Sequence, residues 1–207
     1  MNTIVINASP RRNWNTALML KEAMKGAESA GAETEYIDLC DLNFSGCRSC
    51  LACKRKDAER CKCYWQDDLS PVISKILAAD CLIIGTPIYF NEPTAYFRAL
   101  LERLCFCVLS YDDGKTYFEG KLKIGVIYTM NCPDEHFYDA LTGSHKNTFS
   151  RFFGETQVLC ATETLQFDNY DLYVGDMFDV PRRREKHEKE FPEDRRRAFL
   201  MGQSLVK

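Results

Sequence analysis

The sequence predicts an α/β domain, doubly wound around a five-stranded parallel sheet, and three observations carry that expectation. Short apolar runs without polar alternation, such as Thr3 to Ile6 and Cys81 to Gly85, suit strands buried on both faces. Helical stretches separate successive runs, so strand and helix alternate along the chain. At 207 residues with 45% apolar and 12% aromatic content, the chain can bury one sizeable core. A single domain over residues 1–207 is expected, with a cysteine-rich insertion at about 41–66, after the second strand, and a C-terminal extension at about 170–207.

Taken in order, Thr3 to Ile6 is the first strand and Ala17 to Ala30 the helix after it. Glu33 to Leu39 alternates enough to form a second strand. Asp67 and Asp68 suit the cap and first-turn acid of a helix from Leu69 to Ala79. Cys81 to Gly85 is a third strand, and Pro93 is placed to begin a helix reaching about Val108, since proline is tolerated in a first turn. Lys123 to Thr129 gives the fourth strand, Asp134 to Phe153 a helix, Gln157 to Gln166 the fifth strand, and Pro192 the start of a last helix to about Val206. Tyr170 to Phe191 takes no assignment from pattern or chemistry. In open parallel sheets ligands bind beyond the carboxyl ends of the strands, where the loops richest in polar and aromatic residues fall here.

The first such loop, Ser9-Pro-Arg-Arg-Asn-Trp-Asn-Thr16, is suited to an anion. Ser9, Asn13, Asn15 and Thr16 can donate hydrogen bonds, a helix N-terminus follows, and Arg11 and Arg12 add positive charge. The glycine-rich loops of nucleotide hydrolases and dinucleotide-binding proteins are absent, so a terminal phosphate monoester fits better. An ordinary strand-to-helix turn would also use such residues as caps. The third strand ends in Gly85-Thr-Pro-Ile-Tyr-Phe-Asn91, which sets aromatic residues where a buried strand gives way to solvent. A flat apolar ligand would explain them, as would simple packing of a turn on the next helix.

Together these segments resemble the NAD(P)H-dependent FMN reductases of the flavodoxin-like class, including their iron-sulfur flavoprotein relatives. The resemblance rests on Ser9-Pro-Arg11 with Asn15-Thr16, on Thr86-Pro-Ile-Tyr-Phe90, and on Arg98 to Glu102-Arg103, and covers roughly the first 130 residues. It implies that Ser9, Arg11, Asn13, Asn15 and Thr16 hold the FMN phosphate. By the same resemblance Pro87, Ile88, Tyr89, Phe90 and Asn91 line the ring, and Thr129, Met130 and Asn131 close its other side. One position departs from the pattern: Trp14 stands where those proteins usually carry glycine, and a positive φ there would strain it.

Cys47, Cys50 and Cys53 are separated by two residues each and followed by Cys61 and Cys63, a spacing that lets thiolates converge on one centre. The resemblance implies a [4Fe–4S] cluster on four of the five. Cys61 fits the spacing better, whereas Cys63 leads into Asp67-Asp68 as the fourth cysteine does in those relatives. Free thiols and a tetrahedral structural zinc are the alternatives. Cys40, Cys81, Cys105, Cys107, Cys132 and Cys160 read as small core residues, with Cys132 notable for following the Thr129 to Asn131 loop. His136, His145 and His187 show no metal-like spacing.

A formal charge of −3 gives no basic field for nucleic acid, and the arginines at 182–184 and 195–197 are interleaved with acids, as on a salt-bridged helix. The chain enters a strand without a leader-like segment, has no apolar run of about 18 residues, and does not spread its eleven cysteines as a secreted framework. A cytoplasmic location with no membrane partner is expected. The function expected from the resemblance is an FMN-dependent oxidoreductase that passes hydride or electrons from NAD(P)H to a quinone, a flavin or another small-molecule acceptor, as a homodimer or tetramer. An iron-sulfur flavoprotein electron carrier, and a non-enzymatic flavodoxin-like protein with structural zinc, are the alternatives. Hydride transfer to a flavin requires no side-chain acid or base, so no catalytic residue is assigned.

Overall fold

The computed structural model describes residues 1–207. Its strands are β1 (Asn2–Asn7), β2 (Glu33–Asp38), β3 (Cys81–Tyr89), β4 (Glu92–Pro93), β5 (Lys123–Thr129) and β6 (Thr156–Ala161). Five of them run parallel in the order β2, β1, β3, β5, β6, while the two-residue β4 folds back antiparallel on the end of β3. This is the flavodoxin-type order, whose direction reverses between β1 and β3. The central β3 is buried from Cys81 to Ile88, the reason its sequence carries no polar alternation.

Helices cover both faces: α1 (Asn15–Ser29), α2 (Leu69–Leu77), α3 (Ala95–Val108), α4 (Asp139–Phe152), α5 (Val180–Lys189) and α6 (Phe191–Val206). On one face Met19, Leu20 and Ala23 of α1 join Met201 and Leu205 of α6 over Val5, Ile83 and Ile127. On the other, Ile73 of α2, Phe97 and Leu104 of α3 and Phe149 of α4 pack over Ile4, Ile6, Leu82, Ile84 and Val126. α1 and α6 touch backbone to backbone. A Cβ on Gly26 would sit 2.8 Å from the carbonyl carbon of Phe199, and one on Gly202 would sit 2.7 Å from that of Ala23.

Several boundaries differ from the sequence expectation: β3 runs on to Tyr89, taking in Thr86 to Tyr89 that the sequence reads as loop, α1 starts two residues early and α2 ends two early. α3 starts at Ala95 rather than Pro93, because Thr94 caps it by accepting from the Phe97 N–H at 3.3 Å while its own hydroxyl donates to the Ala8 carbonyl at 2.6 Å. The helix expected from Asp134 begins as a 3-10 turn at Glu135–Tyr138 and becomes α4 at Asp139. The fifth parallel strand ends at Ala161, where Met130 N–H takes the Ala161 carbonyl and Glu163 turns at φ 47°, so residues 162–166 leave the sheet. Between Leu42 and Asp68 the only regular element is a 3-10 turn at Ala52–Lys54. The unassigned segment holds a short turn at Tyr170–Leu172 and α5. No helix is long and apolar enough to cross a membrane.

Candidate functional site

The reversal of strand order opens a crevice above the ends of β1 and β3. The loop leaving β1 is shaped by its own polar groups: the Ser9 N–H donates to Asn7 Oδ1 at 3.0 Å and the Arg11 N–H to Ser9 Oγ at 3.1 Å. α1 then begins without a cap. Trp14 in the capping position offers no side-chain bond, and the first turn has no acid. The backbone N–H groups of Asn15, Thr16 and Ala17 therefore lack acceptors although these residues are buried. Free amides at the positive end of a helix form an anion site. Thr16 Oγ1 lies 2.7 Å from Thr129 Oγ1, joining this helix to the end of β5. Gly85 permits the close approach, since a Cβ there would fall 2.8 Å from both Thr16 Cγ2 and Leu20 Cδ1.

Nine of the thirteen residues implicated by sequence line one cleft: Ser9 and Arg11 from the first loop and Thr16 from the start of α1, Pro87, Ile88 and Tyr89 from β3, and Thr129, Met130 and Asn131 from the end of β5 and the loop after it. The other four sit outside it. Asn13 Oδ1 accepts from Lys21 Nζ at 2.9 Å, and Asn15 Nδ2 donates to the Leu165 carbonyl at 2.8 Å. Phe90 and Asn91 form the left-handed turn between β3 and β4, with φ of 51° and 65°, and the Phe90 side chain is fully exposed. Burial raises the Tyr89 hydroxyl pKa, with Arg11 opposing.

The fourth wall of the cleft is Thr164, Leu165 and Gln166, which sequence reasoning missed. Trp14 Nε1 donates to the Leu165 carbonyl at 2.8 Å, Arg11 Nη1 to the Gln166 carbonyl at 2.8 Å, and the Arg11 guanidinium stacks 4.1 Å from the Trp14 ring centre. Trp14 has a φ of −116°, extended backbone open to any residue, so it is unstrained where the resemblance would place glycine. Asn131 is clamped from α5: Arg183 donates to its Oδ1 at 2.6 Å and its carbonyl at 3.2 Å. Beside it Glu163 pairs with Arg182 at 2.9 Å and Lys186 at 3.4 Å.

A second cavity lies beneath the cysteine loop. Cys47, Cys50, Cys53 and Cys63 border it, together with Cys107, Arg103 and Phe106 of α3. Cys61 does not border it, and Cys107, read from sequence as a core residue, does. No three His, Cys, Asp or Glu side chains converge as a shell for a single ion. Burial pushes the Cys53 and Cys107 thiols up, and neighbouring thiols act in the same direction. Lys54, next to Cys53, caps the C-terminal end of α3 through the Phe106 carbonyl and the Leu109 carbonyl, the latter at 2.6 Å. Asp67 serves α2 and α3 together: its Oδ1 accepts from the Leu69 N–H at 3.1 Å, and Arg103 donates to both carboxylate oxygens at 2.7 and 2.6 Å.

Known proteins are similar to this chain in sequence and in fold. A search of the curated proteins finds an iron-sulfur flavoprotein of Methanocaldococcus jannaschii, 37% identical over 103 residues, 50% of this chain and 51% of that protein. One from Archaeoglobus fulgidus is 34% identical over 50% of this chain and 48% of its own length. The match spans about half the length of these curated relatives. The fold is shared with an NAD(P)H:quinone oxidoreductase of Methanothermobacter marburgensis, at TM-score 0.68 and 16% identity, covering 100% of this chain and 98% of that one. It is shared too with an FMN-dependent NADH-azoreductase of Bacillus anthracis in complex with FMN, at TM-score 0.64 and 14% identity over the whole of both chains. The family model for NADPH-dependent FMN reductase matches residues 1–131, the stretch that runs from β1 through the uncapped helix and the β3 loop to the end of β5. On that match the chain belongs to the NADPH-dependent FMN reductase family.

Proposed function

We propose that the whole chain forms one FMN-binding domain and works as an NAD(P)H-dependent oxidoreductase, delivering reducing equivalents to a quinone, a flavin or another small acceptor. The observation that carries this reading is the uncapped start of α1, whose free amides at Asn15, Thr16 and Ala17 sit beside the Ser9 and Thr16 hydroxyls. That donor set fits a terminal phosphate. When bound, the flavin supplies the capacity to accept a hydride from the nicotinamide and pass electrons onward. The chain's own part is placement: Ser9, Thr16 and the α1 amides hold the phosphate, and Pro87 to Tyr89 and Thr129 to Asn131 bound the ring on two sides. Arg11 contributes charge from its station on Gln166, and Trp14 and Asn15 hold the 164–166 wall in place. Exposed apolar side chains at Phe90, Leu172, Val174 and Met177 suit burial against a second copy in a homodimer or tetramer. The test is titration of flavin-free protein with FMN, followed by NADH and NADPH oxidation. Tight binding in wild type that is lost in Ser9→Ala combined with Thr16→Ala supports the reading, and equal retention of FMN by the double variant refutes it.

A second centre is supported by the cysteine cavity. Four thiols, Cys47, Cys50, Cys53 and Cys63, border a shared space, and the curated relatives that match this chain are named iron-sulfur flavoproteins. The protein would then be an iron-sulfur flavoprotein that moves single electrons between two centres, with Cys63 rather than Cys61 as the fourth ligand. Iron and acid-labile sulfide in anaerobically purified protein, lost in Cys63→Ser and kept in Cys61→Ser, would support it. Protein with neither iron nor sulfide would refute it.

A further inference from the structure

Arg103 is among the largest fully buried side chains of the protein, only 2% exposed, and it borders the cysteine cavity. Burying a guanidinium is costly unless its charge is paired and its donors are met. Asp67 supplies the charge, and its carboxylate takes the Nη1 group. The other terminal nitrogen, Nη2, donates to the Trp65 carbonyl at 3.1 Å and Ser70 Oγ at 3.0 Å, and lies 3.4 Å from Cys63 Sγ. Nε is buried with no acceptor at all. An arginine kept only to tie α2 to α3 would be complete with Asp67, Trp65 and Ser70. Nε is thus one buried donor left unmet, and Nη2 shares its two protons among three acceptors, one of them the Cys63 sulfur. Arg48, the other cation at this cavity, is exposed and stacked over Trp65, so Arg103 is its buried positive charge.

We propose that Arg103 is a positioning residue for the group held by Cys47, Cys50, Cys53 and Cys63. It donates hydrogen bonds to sulfur there and raises the reduction potential of that group through its buried charge. The inference rests on the iron-sulfur reading above. Uptake of one electron adds one negative charge to the cavity, with no bond made or broken and no proton moved, and a fixed cation favours the more negative state. Its removal makes reduction harder.

The test uses the full chain purified without oxygen, as wild type, Arg103→Gln and Arg103→Lys, with iron, sulfide and FMN measured on each. A dithionite titration with redox mediators then gives the midpoint potential from the visible absorbance. At the wild-type midpoint the reduced-to-oxidised ratio of Arg103→Gln is expected to fall at least tenfold, a downward shift of about 59 mV for a one-electron couple. Arg103→Lys, which keeps the charge and loses the fork, is expected to shift less. Iron lost from a folded, FMN-replete Arg103→Gln and retained in Arg103→Lys supports the same role. An iron-loaded Arg103→Gln with the wild-type potential overturns the role of Arg103 and leaves the cluster reading standing. Wild type without iron and sulfide overturns the cluster reading and this inference with it. Should Arg103→Gln fail to fold, Asp67→Asn replaces it: removing the opposing carboxylate is expected to raise the potential, and an unchanged value overturns the proposal.

Discussion

The pair Thr16 and Thr129 separates stability from flavin binding within one hydrogen bond. The two hydroxyls are 2.7 Å apart and 2% and 3% exposed, so each is the other's partner in a nearly dry setting. A hydroxyl has one proton and two lone pairs. If Thr129 donates to Thr16, the Thr16 proton is free for an anion at the start of α1, and Thr129 has none left to give. Thr16→Val and Thr129→Val each strand one buried hydroxyl, at about 1–3 kcal/mol of stability. The double variant removes both groups and should be less destabilised than the sum of the singles, a coupling that urea unfolding of flavin-free protein reads directly. FMN affinity should divide differently. Thr16→Val loses a hydrogen bond to a charged group, about 1.5–3 kcal/mol, which weakens FMN about 10- to 150-fold in a fluorescence-quenching titration. Thr129→Val should weaken it less than tenfold, through orientation alone. Equal losses of affinity from the two variants, or additive stability losses, would refute this division of roles.

Gly202→Ala should lower stability by about 1–3 kcal/mol, seen as roughly 2–4 °C of Tm per kcal/mol, because the new Cβ meets the Ala23 backbone and no rotamer change relieves it. Trp14→Phe removes the donor to the Leu165 carbonyl while Asn15 still holds it, so stopped-flow FMN release should quicken about 2- to 10-fold; an unchanged rate would mean the 164–166 wall does not retain the flavin. Burial, with the Arg98 charge, lowers the His145 pKa, so the neutral ring that pairs with the Tyr128 hydroxyl at 2.9 Å is the folded form. Its contribution is fully present above the unfolded pKa of about 6.5 and is lost as pH falls below that value. Urea midpoints at about pH 7.5 and 5.5 should therefore differ more in wild type than in His145→Gln.

Much of this arrangement was legible in the sequence because the relevant signals are local. The first five residues of β3 declare themselves as an unbroken apolar run, and Lys123–Thr129 coincides with the observed β5 because polar Lys123 and Thr129 bound the apolar stretch between them. Ser9 and Thr16 could be named because an anion site at a helix start uses residues adjacent in the chain. Long-range features were not legible. Leu165 and Gln166 join the cleft through main-chain carbonyls, which any residue could supply. α5 has a single buried residue, Arg183, so it shows no apolar period, and its link to Asn131 spans 52 positions. Cys107 looks like a core residue because it is one; that it also faces the cysteine loop depends on where Lys54 anchors that loop on α3. Phe90 shows the limit of local reading: an aromatic after a buried strand suggests a pocket wall, and the left-handed turn at Phe90 and Asn91 that sets its side chain in solvent is not visible in the residue order.

α3 ties the two candidate centres to one rigid element. At its start the Thr94 hydroxyl donates to the Ala8 carbonyl and the Thr94 N–H donates to Thr86 Oγ1 of β3, so the first turn is tied to the two strands whose ends border the cleft. Nine residues later Arg103 reaches Cys63 and Asp67, roughly 14 Å along the axis at 1.5 Å per residue. Phe97, Leu100 and Leu104, all buried, lock the intervening turns to the sheet. A helix so fixed cannot shift at one end without moving the other, because its core face is packed at every turn. The cysteine loop is therefore positioned by the same helix that is tied to β1 and β3 at its start, through Arg103 on Asp67 and Lys54 on the last carbonyls of α3. That shared support is the physical reason to treat the cysteine loop as part of the working protein and not as an independent ornament on its surface.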